Sequence, residues 1–227
     1  MVDHQPSIFP FGIRIDEPMA TATDVLVSAV CLYAFINLTK KNLPSRAQLY
    51  MRYYFLMLSV GTLLGGIIGH GFLYALSLPW KLPGWIISLL SVILIERSAI
   101  FHARPLIDQK VGKFFLAFNV VEFFVVAALT LITVDFKWVE FQSGFGLLVI
   151  VGGFHTLTYY RTKDKGSLII LCSIVVTIIS GLVFSFKLSL HTWFNYLDIS
   201  HTLLAVAAYV MYLGAIRLKS GSTGITQ

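Results

Sequence analysis

Three ionisable side chains set in otherwise apolar sequence, His70, Asp198 and His201, have the types and spacing to do chemistry. Asp198 and His201 are three residues apart, which on a helix puts both side chains on one face and lets them reach one ion. Helical bundles build carboxylate–imidazole metal sites with this spacing. His70 lies far off in the chain, inside Gly65-Gly66-Ile67-Ile68-Gly69-His70-Gly71, where small residues let two helices approach closely. Two imidazoles and one carboxylate with a fourth position open make a ligand set for catalytic zinc. Iron also uses two histidines and one carboxylate, but zinc is the simpler choice for a site without redox partners. Asn195, one turn before Asp198, extends the face as a partner to a ligand or as a substrate-binding amide. The competing reading is structural: the same groups hydrogen-bond one another and hold a bundle together. An ionisable group in hydrocarbon costs about 2.5–3.5 kcal/mol even on the lenient insertion scale, so three at one depth imply a use.

These residues must be held by helices in a bilayer. The chain is 57% hydrophobic and 12% charged, with a mean hydropathy of +0.80, whereas soluble domains are about 25% charged. Apolar stretches lie at about 22–39, 53–78, 84–103, 113–134, 139–160, 167–186 and 192–216, each near the roughly 20 residues that cross a bilayer. They are too long for barrel strands and lack strict alternation, so the fold expected is an all-α, seven-transmembrane helix bundle in an integral, multi-pass membrane protein. Residues 22–217 form that domain, residues 1–21 an extracytoplasmic segment, and residues 218–227 a disordered cytoplasmic tail. The first 21 residues hold Asp3, Asp16, Glu17 and three prolines, which does not describe a cleavable signal peptide. Cys31 and Cys172 fall inside spans and read as small buried hydrophobes.

The net charge of +6 does not indicate nucleic acid, because the basic residues flank spans. Thirteen of them, among them Lys40, Arg46, Arg104, Lys110, Arg161 and Arg217, fall on one side, against Arg14, Lys81, Lys137 and Lys187 on the other. The positive-inside rule then puts the N-terminus outside or lumenal and the C-terminus in the cytoplasm.

Orientation converts sequence position into depth. His70 lies roughly 12 Å from the outer surface, His201 roughly 13–14 Å, and Asp198 about 9 Å, at 1.5 Å per residue. His155 lies about 24 Å down its span, near the cytoplasmic end with His102, and His4 and His191 sit at the surface. Asp24, near the outer mouth of the first span, reads as a proton carrier, an outer ligand or a helix-start cap. Glu122, roughly 15 Å from the inner face, is a candidate to line the same cavity and relay a proton. Glu96 and Arg97 read as a self-neutralising pair. Trp80, Trp85, Trp138 and Trp193 fall at outer span ends, as interface anchors do.

With these residues in view, the chain resembles the superfamily that groups alkaline ceramidases with the progestin and adipoQ receptors and related membrane hydrolases. That family has seven spans, an extracytoplasmic N-terminus and a zinc site formed by a histidine late in the second span and a histidine pair in the seventh. His70 and His201 match those places. The stretch Asp16-Glu17-Pro18-Met19-Ala20-Thr21-Ala22-Thr23-Asp24 is similar to the start of the ceramidase first span. Phe194-Asn195-Tyr196-Leu197-Asp198-Ile199-Ser200-His201 is closer in look to bacterial seven-span relatives. The family's His-x-x-x-His has Leu197 at its first position here, so the resemblance implies zinc with Asp198 as substitute. Gly66 and Lys81 stand where the family has a serine and an aspartate. Glu17 joins Asn195 as a partner to ligand or substrate.

The function expected is a zinc-dependent intramembrane hydrolase acting on a membrane lipid amide or ester, with metal-activated water as nucleophile and Asp24 or Glu122 moving the proton. The alternative is a seven-span receptor or sensor with a structural metal or polar cluster. Missing symmetry and the lack of paired broken helices weigh against a transporter. No span has a lysine deep in its core to form a retinal Schiff base.

Overall fold

A computed structural model describes residues 5–41 and 44–218. His4, Asn42, Leu43 and the tail from Lys219 onward lie outside the described residues.

Seven helices are long and apolar enough to cross a membrane. They are α1 (Pro18–Lys41), α2 (Arg46–Gly71), α3 (Leu82–Ala103), α4 (Gln109–Thr133), α5 (Lys137–Thr162), α6 (Lys165–Ser185) and α7 (Tyr196–Ala215). No strand forms among the described residues; an isolated antiparallel bridge joins Ile8 to Ile15 and another joins His191 to Phe194.

The sequence punctuates the helices by familiar chemistry. Ser45, Asp108 and Asp164 cap α2, α4 and α6, accepting from the backbone N–H groups of Gln48, Lys110 and Ser167. Asn195 and Asp198 form a capping box at the start of α7. Val134 and Lys163 end α4 and α5 in the left-handed conformation.

Packing runs around a closed ring: α1 on α2, α2 on α3, α3 on α5, α5 on α6, α6 on α7 and α7 back on α1. α4 stands outside that ring against α3 and α5. Its far face, with Phe114, Val121, Phe124 and Ile132, is exposed, as a lipid-facing helix requires. The ring encloses an apolar core that includes Cys31, Met51, Phe55, Ile95, Ile170 and Met211. Leu218 belongs to that core and its carbonyl accepts from the Gln48 side chain at 3.3 Å, so the folded part reaches one residue into the expected tail. Cys172 corrects a second expectation: it lies on the outward face and only Cys31 is buried, because the two fall on opposite sides of their helices. Both thiols are free.

Two of the seven helices are interrupted by π-turns, α2 at Gly65–Gly71 and α5 at Gly146–Val151. Such turns recur at functional sites because they re-aim side chains that a regular helix would point elsewhere.

Candidate metal centre

At the His70 end of the bundle three side chains from three helices converge. Asp24 comes from α1, His70 from the π-turn of α2 and His201 from α7, with one ligand-capable atom of each within 4.8 Å of the others. His70 Nε2 lies 3.8 Å from Asp24 Oδ2, and His201 Nε2 lies 3.6 Å from Asp24 Oδ1. The imidazole centroids are 5.7 Å apart.

The opposite ring nitrogens are already engaged. His70 Nδ1 meets Glu17 Oε2 at 2.6 Å, and a carboxylate there can only accept, so Nδ1 carries the hydrogen. His201 Nδ1 meets Thr23 Oγ1 at 3.2 Å. The Thr23 hydroxyl donates to the Met19 or Ala20 carbonyl, at 2.9 and 3.1 Å, which leaves its lone pair to accept from Nδ1. Both imidazoles thus present an Nε2 lone pair toward Asp24. This is the carboxylate-oriented imidazole arrangement common in metal sites. Ligand atoms about 2.0–2.1 Å from a tetrahedral ion are about 3.3–3.4 Å apart, close to the N···O spacings here. The group could hold a metal ion, its N···O spacings being a few tenths of an ångström longer than in a closed tetrahedral site.

Glycine makes the convergence sterically feasible. A Cβ on Gly66 would stand 2.8 Å from Asp24 Cβ and 3.1 Å from the Thr21 carbonyl, so a larger residue would push α1 away. The N-terminal segment closes over this end. Asp16 N–H bonds the Gly71 carbonyl at 3.0 Å. The Gln5 side chain joins two helices: its oxygen accepts from Met19 N–H at 2.9 Å, and its amide donates to Asp198. Beside His70 opens a cavity of about 660 Å³ bounded by Arg14, Asp16, Glu17, Tyr74 and Lys81. Arg14 lies over the Tyr74 ring and pairs with Asp16 at 2.8 Å. Its guanidinium hydrogen bond holds the Asp16 carboxyl below the usual carboxylate range.

Two candidate residues are placed differently from the sequence reading. Asp198 is not in the converging group. It is fully buried, and its Oδ2 accepts from Asn195 N–H at 2.7 Å and from Gln5. A side chain in the first turn leans back toward the helix N-terminus, so Asp198 turns to the cap and Asp24 supplies the carboxylate instead. Asn195 is the N-cap, its Oδ1 accepting from Leu197 N–H at 2.9 Å. Glu122 is on α4, outside the ring, and interacts with Glu96 of α3. Glu17 does bear on His70. Sequence reasoning missed Thr23 and Gln5, which have no spacing signal: each acts across the fold on a residue far away in the chain.

His102 and His155 form a separate group at the opposite end. His102 Nε2 meets Asp164 Oδ2 at 3.1 Å, His155 Nδ1 meets Ser167 Oγ at 3.0 Å, and their rings are 5.5 Å apart. His191 is exposed on the turn before α7.

No curated protein and no solved structure matches the chain. A family of unknown function, DUF6962, matches residues 19–220, which takes in the seven helices except Pro18 and every residue of the converging group, and the chain belongs to that family.

Proposed function

We propose that this is a multi-pass membrane protein that binds zinc through Asp24, His70 and His201 and hydrolyses an amide or ester bond of a membrane lipid. The observation that carries the reading is the convergence of two imidazoles and one carboxylate, with one ligand-capable atom of each within 4.8 Å of the others, beside an open cavity. Three protein ligands with one position left for water is the pattern of catalytic rather than structural zinc. When bound, zinc supplies a Lewis acid and lowers the pKa of water at that position toward about 7.

The chain's own residues define the rest. Glu17 and Thr23 fix the two rings and their tautomers. Lys81, half-buried beside Gly69 and acting electrostatically on Glu17 and Asp24, supplies a cation near the centre that would stabilise negative charge developing on a substrate oxygen. Arg14, Tyr74 and Lys81 offer charge and aromatic surface to a lipid headgroup, and the apolar helix faces accommodate its chains. The positive-inside distribution supports an extracytoplasmic site, with substrate entering from the outer leaflet. The ceramidase-like features of sequence support a lipid amide as the scissile group.

The test has two readouts. Purified protein should contain about one zinc per chain by mass spectrometry, and it should release fatty acid from lipid amides or esters in proteoliposomes. Metal with no turnover over a broad lipid panel would favour a receptor or sensor with a structural ion. Protein that neither retains nor binds added zinc would overturn the proposal.

A further inference from the structure

A second buried polar group lies between α3, α4 and α5. Glu96 and Gln142 are 0% exposed, Asn119 1% and Glu122 8%. Asn119 Nδ2 donates to Glu96 Oε2 at 2.6 Å and to the Ile93 carbonyl at 3.2 Å. That leaves Glu96 Oε1, Asn119 Oδ1, both Glu122 carboxylate oxygens and both polar atoms of the Gln142 amide buried without a hydrogen-bond partner among the described residues. Arg97 does not neutralise Glu96, contrary to the pairing expected of neighbours. Successive helix residues diverge by about 100°, and Arg97 turns to the Leu116 carbonyl and the Tyr50 ring.

The three helices are shaped around these oxygens. The π-turn of α5 begins at Gly146, where a Cβ would collide with Glu96 Oε1 and Val92. Gln142 is one turn earlier, on the same face of α5. Glu122 is three residues after Asn119 and so shares the face of α4 from which Asn119 reaches Glu96. Two buried carboxylates with no counter-charge would cost several kcal/mol, yet this part of the bundle holds unpartnered buried oxygens where methyl groups could fill the space. The group contains no thiol and no imidazole. Oxygen-only donors from carboxylates and amides suit hard cations.

We propose that Glu96, Asn119, Glu122 and Gln142 form a binding site for a hard cation, sodium or calcium, within the bundle. The ion neutralises the two buried carboxylates and ties α4, the helix outside the ring, to α3 and α5. The site is independent of the Asp24–His70–His201 centre and of the hydrolase reading. Its ligands come from other helices and its donors are of another chemical class.

The experiment is thermal unfolding of the full chain in lipid nanodiscs, stripped with chelator into choline buffer. NaCl, KCl, CaCl2 and MgCl2 are titrated separately at constant ionic strength. Specific binding to the folded state raises Tm saturably. The expected result is such a rise with Na+ or Ca2+, the effective salt naming the ion. Glu122→Gln should weaken the half-saturation concentration at least tenfold, and so should Glu96→Gln. Gln142→Leu, which removes one oxygen donor and no charge, should also weaken the half-saturation concentration and serves as a second variant if Glu96→Gln does not fold. Asp24→Asn should leave the salt response intact. Equal Tm in all four salts would overturn the proposal. A response that survives in Glu122→Gln and Glu96→Gln, or that disappears in Asp24→Asn, would overturn it too, because the ion would then act elsewhere.

Discussion

His70 and His201 owe their chemistry to what holds their far nitrogens. Glu17 and Thr23 set the tautomers, so both Nε2 atoms face Asp24. Asp24→Asn, His70→Ala and His201→Ala should each abolish stoichiometric zinc, read by metal analysis of purified protein. Glu17→Gln keeps the geometry but weakens the acceptor of His70 Nδ1–H, and metal affinity should fall about 10–100-fold, as is usual for partners of a ligating imidazole. Asp198 supplies the contrast. Asp198→Ala removes the capping box and the Gln5 contact, so it should lower stability by about 1–3 kcal/mol while leaving zinc content near one per chain. A variant at Asp198 that folds normally and loses its metal would restore it to the ligand set.

Among the elements, the α2 π-turn and the α6 cap do the most to shape the two ends of the bundle. Gly66→Ala should force α1 and α2 apart, costing about 1–3 kcal/mol as overpacked sites do, and should reduce zinc content with it. A variant with unchanged metal and unchanged Tm would show that close approach at Gly66 is not what seats Asp24. At the opposite end Asp164 caps α6 and accepts from His102 and the Ser167 hydroxyl. Burial alone would raise its carboxyl, but the hydrogen bonds from His102 and Ser167 prevail and hold it well below the usual range. A depressed folded-state value means that the stabilisation is present above the ordinary carboxylate pKa near 4 and is lost as pH falls below it. Tm measured against pH should therefore drop below about pH 4 in the wild type. Asp164→Asn should be less stable at pH 7, with the gap narrowing in acid. A constant gap across that range would assign the loss to packing alone.

At the scale of the whole molecule, the ring of six helices with α4 outside it separates the two histidine groups by most of the bundle's length. If the basic loops lie in the cytoplasm, an accessibility tag after Leu218 should be reached by reagent only in opened cells, and one near Arg14 from outside. Both tags on one side would contradict a seven-span topology and the extracytoplasmic placement proposed for the Asp24–His70–His201 centre.

Much of this was legible in the chain before folding. Helix number and approximate bounds follow from local hydropathy, because a bilayer imposes a fixed apolar length on every span. The grouping of His70 with His201 and of His155 with His102 follows from depth, since helical rise is the same for every residue. What depth cannot encode is rotation about a helix axis. Asp24 and Asp198 both belong to the outer half by sequence, and only the packed bundle decided between them. The capping requirement of α7 claimed Asp198, and the glycine-lined contact of α1 with α2 presented Asp24 to both imidazoles. Rotation also separated Glu96 from Arg97 and turned Glu96 toward Asn119. Likewise, Glu122 lay at a suitable depth but on a helix outside the ring. Which neighbours a helix meets depends on contacts between residues far apart in sequence, and no local pattern records them.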